Sequence, residues 1–245
     1  MLSGITILFF AFFLLLIQPF AAADAKPLLI VTENYAPYEM EQPIDGLQGF
    51  DYELITEIFK QLNYEIEIKF LPWKRVLHIA KKGKTIGIMT CAYRPEREEF
   101  ITFSNPISEF TNGFYMRKGH EGPMPKILED VRNQSVASIA AYESLKELQA
   151  LDLRPMVAPT TDTAIKMLVG KRFDYLYVNK QSTDFAIKKM GLEGRFEFHP
   201  ISRKEFYFCF SKQKEGVEKI VEEFNKTLFN IRENGTYDKI HDKYR

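Results

Sequence analysis

The sequence is poor in the residues that build metal sites. It contains two cysteines and four histidines among 245 residues. The histidines (His78, His120, His199 and His241) are scattered, and no C-x-x-C or H-x-x-x-H spacing occurs. The sequence therefore predicts neither a metal centre nor a cofactor.

An excess of charge of either sign is also missing. Thirty-three Lys and Arg residues balance 33 Asp and Glu residues, so the formal net charge is zero. A nucleic acid or an anionic membrane surface would favour a basic chain. The charge balance therefore gives no reason to expect either partner.

Long apolar runs are missing after the first 23 residues. Residues 5–17 are almost wholly apolar and are followed by small residues up to Ala23, which predicts a secretory signal peptide over residues 1–23. The run is short for a membrane span, although an uncleaved anchor is the alternative because no Lys or Arg precedes it. We therefore expect a mature chain in the periplasm.

Strand and helix patterns alternate through the rest of the chain. Buried-strand patterns at residues 28–32 and 86–89 and an alternating, half-exposed strand pattern at residues 64–70 are predicted. Amphipathic helices separate them, and Asp51 is expected to cap the first helix. The same order returns between residues 135 and 178. Two β-α-β-α-β units predict an α/β protein with two lobes, each an open, mostly parallel sheet with flanking helices.

Two extended runs and a long helix connect these units. We expect residues 113–117 and 205–210 to pair antiparallel at the edge of the second lobe. Residues 217–231 carry one apolar stripe, and this helix is expected to return to the first lobe. The predicted division is therefore 24–110 for the first part of lobe 1, 111–212 for lobe 2 and 213–245 for the returning helices. Two crossings would make a hinge beside a ligand cleft.

The two cysteines fall in different predicted lobes. Cys91 lies in the first and Cys209 in the second. Export would permit a disulfide, but this assignment favours two free, buried thiols.

Residues 87–106 have the composition of a binding site at the end of a strand. The predicted strand at residues 86–89 is followed by the small residues Thr90, Cys91 and Ala92. Pro95 then suits a first helical position, and Arg97 lies in the first turn. Backbone N–H groups and a guanidinium at the carboxyl end of a strand suit a carboxylate ligand. The alternative is an ordinary β-α turn with a solvated arginine.

Six motifs occur in order along the predicted mature chain. They are residues 49–54 (GFDYEL), Trp73, residues 94–97 (RPER) with 103–106 (FSNP), residues 170–174 (GKRFD), residues 210–212 (FSK), and residues 234–237 (NGTY) running on to Tyr244. Together they resemble the bacterial extracellular solute-binding proteins of family 3, which serve polar amino-acid ABC transporters. The resemblance implies a periplasmic-binding-protein-like fold of type II, two lobes joined by a two-strand hinge, closure on a ligand, and no catalysis.

The resemblance also implies roles for particular residues. Tyr35 and Trp73 would sandwich the ligand, and Arg97 would hold its carboxylate bidentately. The Thr90 hydroxyl and the Ala92 N–H would complete the carboxylate site. Core packing or a surface position is the alternative for each aromatic ring.

Two positions depart from the family pattern. Asn179 stands where the family often has an acid for the ligand's α-ammonium group, and a neutral amide cannot supply that charge. Glu143 is a candidate replacement, or else an ordinary acid in the first turn of a helix. Arg75 and Arg94 either add positive charge to the cleft or are solvated.

Three functions are compatible with these residues. The first is a monomeric periplasmic protein that captures an amino acid or a related small organic acid by hinge closure and delivers it to the permease of an ABC transporter. The second is a dehydratase-like enzyme on the same scaffold, with Glu33 and Glu143 as candidate acid or base groups. The third is a sensor module that acts with a membrane partner.

Overall fold

Strands and helices alternate along residues 26–140 and 142–244, the part of the chain that the computed structural model describes. The strands are Leu28–Thr32 (β1), Ile66–Phe70 (β2), Gly87–Ala92 (β3), Ile101–Arg117 (β4), Val136–Ile139 (β5), Met156–Ala158 (β6), Tyr175–Asn179 (β7) and Phe196–Ser211 (β8). The helices are Phe50–Gln61 (α1), Trp73–Lys81 (α2), Glu143–Gln149 (α3), Thr161–Val169 (α4), Lys180–Lys189 (α5), Val217–Glu233 (α6) and Thr236–Asp242 (α7). The predicted signal peptide lies outside the described residues.

The strands form one sheet in the order β2-β1-β3-β8-β4-β7-β5-β6. The strands β2, β1 and β3 are parallel to one another, as are β7, β5 and β6. Between these groups, β8 runs antiparallel to both β3 and β4, and β4 runs antiparallel to β7. The predicted α/β fold with two parallel units is therefore confirmed.

The central pair β4–β8 extends through both halves of the sheet. Its register runs from Ile101 opposite Ser211 to Arg117 opposite Phe196. The predicted pairing was wrong in register, because residues 113–117 lie opposite 196–200 and residues 205–210 lie opposite 102–109. Charged side chains in the middle of both strands, such as Glu109 and Arg203, interrupt the apolar pattern and concealed their length.

Two sets of buried side chains divide the molecule into lobes. The first lobe is built on β1–β3 with α1, α2, α6 and α7, and its core joins the apolar faces of α1 and α6. The second lobe is built on β5–β7 with α3–α5. Phe206, Phe208 and Phe210 belong to the first core, although the predicted bounds placed them in the second lobe. Among the described residues, no helix is both long and apolar enough to span a bilayer.

The cysteines form a disulfide, so the prediction of free thiols was wrong. Cys91 lies in β3 and Cys209 in the adjacent β8, with their Cα atoms 5.9 Å apart. The error has a topological cause, since β8 returns to the first lobe before residue 209. The bond spans a register shift between Ile88 and Cys91, and it therefore ties the irregular end of β3 to the long strand.

We expect the Cys91→Ala/Cys209→Ala double variant to be less stable than the parent. The disulfide closes a loop across 118 residues, and its removal typically lowers the free energy of unfolding by about 2–4 kcal/mol. Urea denaturation with and without reductant measures this. Reductant should destabilise the parent and leave the double variant unchanged, and equal sensitivity of the two proteins would contradict the assignment.

Candidate ligand-binding cleft

A cleft of about 820 Å³ lies between the two lobes. The loop after β1, the start of α2 and the end of β3 form its first wall, while the start of α3 and the end of β7 form the second. The middle of the β4–β8 pair forms its floor. Its lining includes seven of the eight residues predicted for the site: Tyr35, Trp73, Thr90, Ala92, Arg97, Glu143 and Asn179. Carboxyl ends of parallel strands from both lobes thus face one space, which is where α/β sheets bind ligands.

Arg97 is held at the cleft by residues of β3 and by the first residue of α2, and its Nη1 lies 3.5 Å from Cys91 Sγ. Its Nη1 donates to the carbonyl oxygen of Ala92 at 2.6 Å, and its Cζ lies 5.3 Å from the ring centroid of Trp73. Burial lowers the pKa of Arg97, and the charge of Arg94 adds to this, but a guanidinium remains protonated. Pro95–Arg97 form a 3₁₀ turn that leads into β4 rather than the predicted helix. The remaining N–H groups of the Arg97 guanidinium have no acidic partner in the described part of the chain, so they can still donate hydrogen bonds to a carboxylate.

The two predicted aromatic residues occupy different surroundings. Trp73 is half-buried beneath the Arg97 guanidinium. Tyr35 stacks on Tyr38 with ring centroids 5.1 Å apart, and Tyr142 of the second lobe meets it edge-on at 6.2 Å. Both rings therefore line the cleft, although Tyr38 covers one face of Tyr35. Their role as a ligand sandwich stays a prediction.

Thr90 has its hydroxyl group in the protein interior. Its backbone φ is 50°, in the left-handed region that β-branched residues rarely adopt. This conformation places Oγ1 2.9 Å from Asp51 Oδ2 and 2.5 Å from Glu39 Oε2. The hydroxyl is thus engaged with two buried carboxyl groups.

In the second lobe, Asn179 is also engaged. Its Oδ1 accepts a hydrogen bond from the Ser182 N–H at 2.9 Å and so caps α5, while its Nδ2 donates to the Tyr38 hydroxyl at 3.3 Å. The side-chain NH₂ group of Asn179 therefore connects the two lobes, and its side-chain oxygen caps α5.

The remaining candidates differ in position. Glu143 forms an ion pair with Arg94 across the cleft at 2.5 Å and lies 3.7 Å from Lys146. Arg94 thus lines the cleft. Arg75, by contrast, is exposed on α2 and does not line the cleft, since it lies on the solvent face of the helix that presents Trp73.

Comparisons with known proteins identify the family of this chain. A profile of the bacterial extracellular solute-binding proteins, family 3, matches residues 28–245. The chain belongs to this family. The resemblance and the function class inferred from the sequence are thereby confirmed at family level.

Among its relatives is a probable amino-acid-binding protein, YxeM, of Bacillus subtilis (strain 168). That protein is 26% identical over 204 residues, which span 81% of this chain and 76% of the relative. A probable histidine-binding protein of Neisseria gonorrhoeae is 26% identical over 230 residues, spanning 91% and 85% of the two chains. An ancestral arginine-binding protein, solved with arginine, superposes with a TM-score of 0.71 at 22% identity and covers 90% of this chain and 98% of its own. The last comparison supports the fold.

Sequence reasoning missed the buried carboxyl pair of this solute-binding protein. α1 begins after Gly49, so Asp51 does not cap it and is instead buried, accepting a hydrogen bond from the Ser108 hydroxyl at 2.9 Å. Glu39, also buried, accepts from Thr32 at 3.0 Å. Neither residue has a charged partner among the described residues. Periodicity held no signal for this pair, because Glu39 lies in a loop and Asp51 occupies the first turn of a helix, where acids are common.

Proton counting determines how this pair is arranged. The Thr90 hydroxyl carries one proton, so it can donate to only one of its two carboxyl neighbours. Burial raises the pKa of Asp51 to about 7 and that of Glu39 well above its usual range, with the Asp51 charge adding to the latter shift. We therefore assign the shared proton to Glu39, which donates to Thr90, while Thr90 donates to Asp51.

We expect Glu39→Gln to reduce the pH dependence of stability. A raised folded-state pKa means that the folded chain holds more protons than the unfolded one above pH ~4, so the free energy of unfolding falls by up to about 1.4 kcal/mol per pH unit for each such proton. Glutamine preserves both hydrogen bonds without this proton. Urea denaturation at several pH values between 4 and 7 should show that the free energy of unfolding falls less with rising pH for Glu39→Gln than for the parent.

Glu41→Gln is the matched control, because Glu41 is exposed on the same loop. Its free energy of unfolding should fall with pH as that of the parent does. The assignment of the proton to Glu39 is wrong if the free energy of unfolding of Glu39→Gln falls with pH as steeply as that of the parent and of Glu41→Gln.

Proposed function

We propose that this protein captures an amino acid or a related small organic acid between its lobes and delivers it to the permease of an ABC transporter. The main support is the Arg97 guanidinium, which lies over Trp73 in the interlobe cleft with unengaged N–H groups. A planar guanidinium with parallel donors suits a carboxylate, since it can form two charge-assisted hydrogen bonds. Family membership and the amino-acid-binding relatives point to the same ligand class.

Hinge closure is the proposed mechanism. The β4–β8 pair links the lobes, so bending within these strands would change the width of the cleft. Contacts between the described residues of the two lobes include Arg94 with Glu143, Tyr38 with Asn179, and Tyr35 with Tyr142. Contacts of this kind, together with those of a bound ligand, would favour the closed form.

The chain division follows from this mechanism. We place the limits of the second lobe inside β4 and β8, near residues 110 and 206, and assign the C-terminal helices to the first lobe. The mature protein is proposed to be a periplasmic monomer released by cleavage after residue 23. The family is extracellular or periplasmic, which supports the location.

The Arg97→Ala variant tests the carboxylate site. Loss of the paired charge should weaken binding by about 2–4 kcal/mol, a thirtyfold to thousandfold rise in Kd. A thermal-shift screen of the mature protein against amino acids, 2-oxo acids and dicarboxylates would identify a ligand, and calorimetry would then give Kd values for the parent and the variant.

Arg75→Ala is the contrasting variant, because Arg75 was a candidate from the sequence but lies outside the cleft. It should bind within about twofold of the parent, since exposed charges contribute little. Undiminished binding by Arg97→Ala would overturn the site. Consumption of the bound compound, followed by NMR, would favour the enzyme hypothesis instead.

A further inference from the structure

Charged side chains that line the cleft are almost all engaged within the protein. The pairs are Arg94 with Glu143 at 2.5 Å, Arg203 with Glu109 at 2.6 Å, Lys146 with Glu143 at 3.7 Å, Lys204 with Glu147, and Glu205 with the Tyr207 hydroxyl at 2.6 Å. Within the described residues, three lining charges have no counter-charge: the guanidinium of Arg97 and the carboxylates of Glu205 and Glu33. Glu205 accepts the hydrogen bond of the Tyr207 hydroxyl, so Glu33 is the carboxylate among them that has no side-chain partner. The cleft thus offers one positive and one negative group to a ligand.

Glu33 lies in the loop after β1, two residues before Tyr35, and is half-buried. In the part of the chain that the structure describes, its side chain makes no hydrogen bond or ion pair. Burial raises the pKa of Glu33, as expected for a carboxylate that loses water without gaining a partner. Charges removed from water are normally paired, so a cation from outside the chain would complete this site.

The second-lobe residues considered for this role are both engaged within the protein. The Asn179 side-chain oxygen caps α5 and carries no charge, and Glu143 forms an ion pair with Arg94. The acidic position expected in the second lobe is therefore neutral and structurally occupied. A compensating acid has to come from another wall, and Glu33 is the acid of the first lobe that is free to do so.

Aromatic rings surround the same position. Burial raises the pKa of Tyr142, and the charge of Glu33 adds to this shift, as it does to that of Tyr35. Both rings line the same cleft as Glu33 and meet edge-on at 6.2 Å. A cleft that holds a carboxylate and aromatic rings is a favourable environment for an ammonium group, since aromatic rings attract a cation as well.

We propose that Glu33 binds the ammonium group of the ligand while Arg97 binds its carboxylate, and that the cleft selects an amino acid with an uncharged side chain. This inference rests on the proposed function. One unengaged charge of each sign matches a zwitterion, whereas an additional side-chain charge would meet groups that are already paired. The second lobe then contributes closure through Tyr142 rather than recognition of the ammonium.

The experiment compares defined probes on defined variants. L-phenylalanine, L-methionine and L-glutamine are titrated calorimetrically, with 3-phenylpropionate as the phenylalanine analogue without an ammonium group, and L-arginine and L-glutamate as amino acids with charged side chains. The proteins are the parent, Glu33→Gln, Arg97→Ala and the exposed loop control Glu41→Gln. We expect at least one neutral amino acid to bind the parent more tightly than L-arginine and L-glutamate do.

Glu33→Gln should then weaken the binding of that amino acid by about 10- to 150-fold, the loss typical of a charge-assisted hydrogen bond. Binding of 3-phenylpropionate should change by less than about threefold, because the analogue never reaches Glu33. Glu41→Gln should bind as the parent does. The ligand-free melting temperature of Glu33→Gln should equal or exceed that of the parent, since the variant removes an unpaired carboxylate, whereas a structural role would lower it.

Other outcomes overturn the inference in distinguishable ways. If Glu33→Gln binds the amino acid like the parent while Arg97→Ala does not, the role of Glu33 is wrong and the proposed function stands. Tighter binding of L-arginine or L-glutamate than of every neutral probe would overturn the predicted selectivity. If none of the amino acids binds the parent, both the zwitterion site and amino-acid capture are wrong.

Discussion

Pairing between β4 and β8 is the constraint on which the rest of the structure depends. These strands form the floor of the cleft, join the parallel groups of both lobes and carry side chains of both cores. The ladder hydrogen bonds fix the register, and the register determines which side chains reach the cleft. Asn112 and Phe206 line the cleft from these strands, so one continuous antiparallel pair supplies both the hinge and part of the site.

The first lobe carries most of the chemistry of the cleft. The disulfide holds the irregular end of β3 against β8, and Cys91 immediately precedes Ala92, whose carbonyl oxygen accepts the Arg97 hydrogen bond. Behind this segment, the buried Glu39 and Asp51 hold Thr90 in its left-handed conformation. The strained end of β3 is thus supported on two sides by groups that do not touch the cleft, which is how a binding site keeps its geometry when empty.

Charge pairing gives the cleft its selectivity in this interpretation. Ion pairs such as Arg94–Glu143 link the two walls, and they remove most charges from the set that a ligand can use. A guanidinium and a carboxylate remain. The cleft contains several acidic and several basic residues. Which of them stay unpaired therefore depends on the neighbours that the fold places beside each one, and not on residue type.

The sequence by itself determined the α/β class, the two β-α-β-α-β units and seven residues of the cleft lining, because these depend on local periodicity and on strand ends close to their motifs. Only the tertiary structure decided the register of β4 and β8, the disulfide and the carboxyl pair of Glu39 and Asp51, since each joins residues distant in sequence. It also decided that Asn179 is engaged and that Arg75 faces solvent. The physical reason is the same in each case. The sequence gives the type of each side chain, whereas long-range packing determines which groups that side chain contacts and whether its charge is paired.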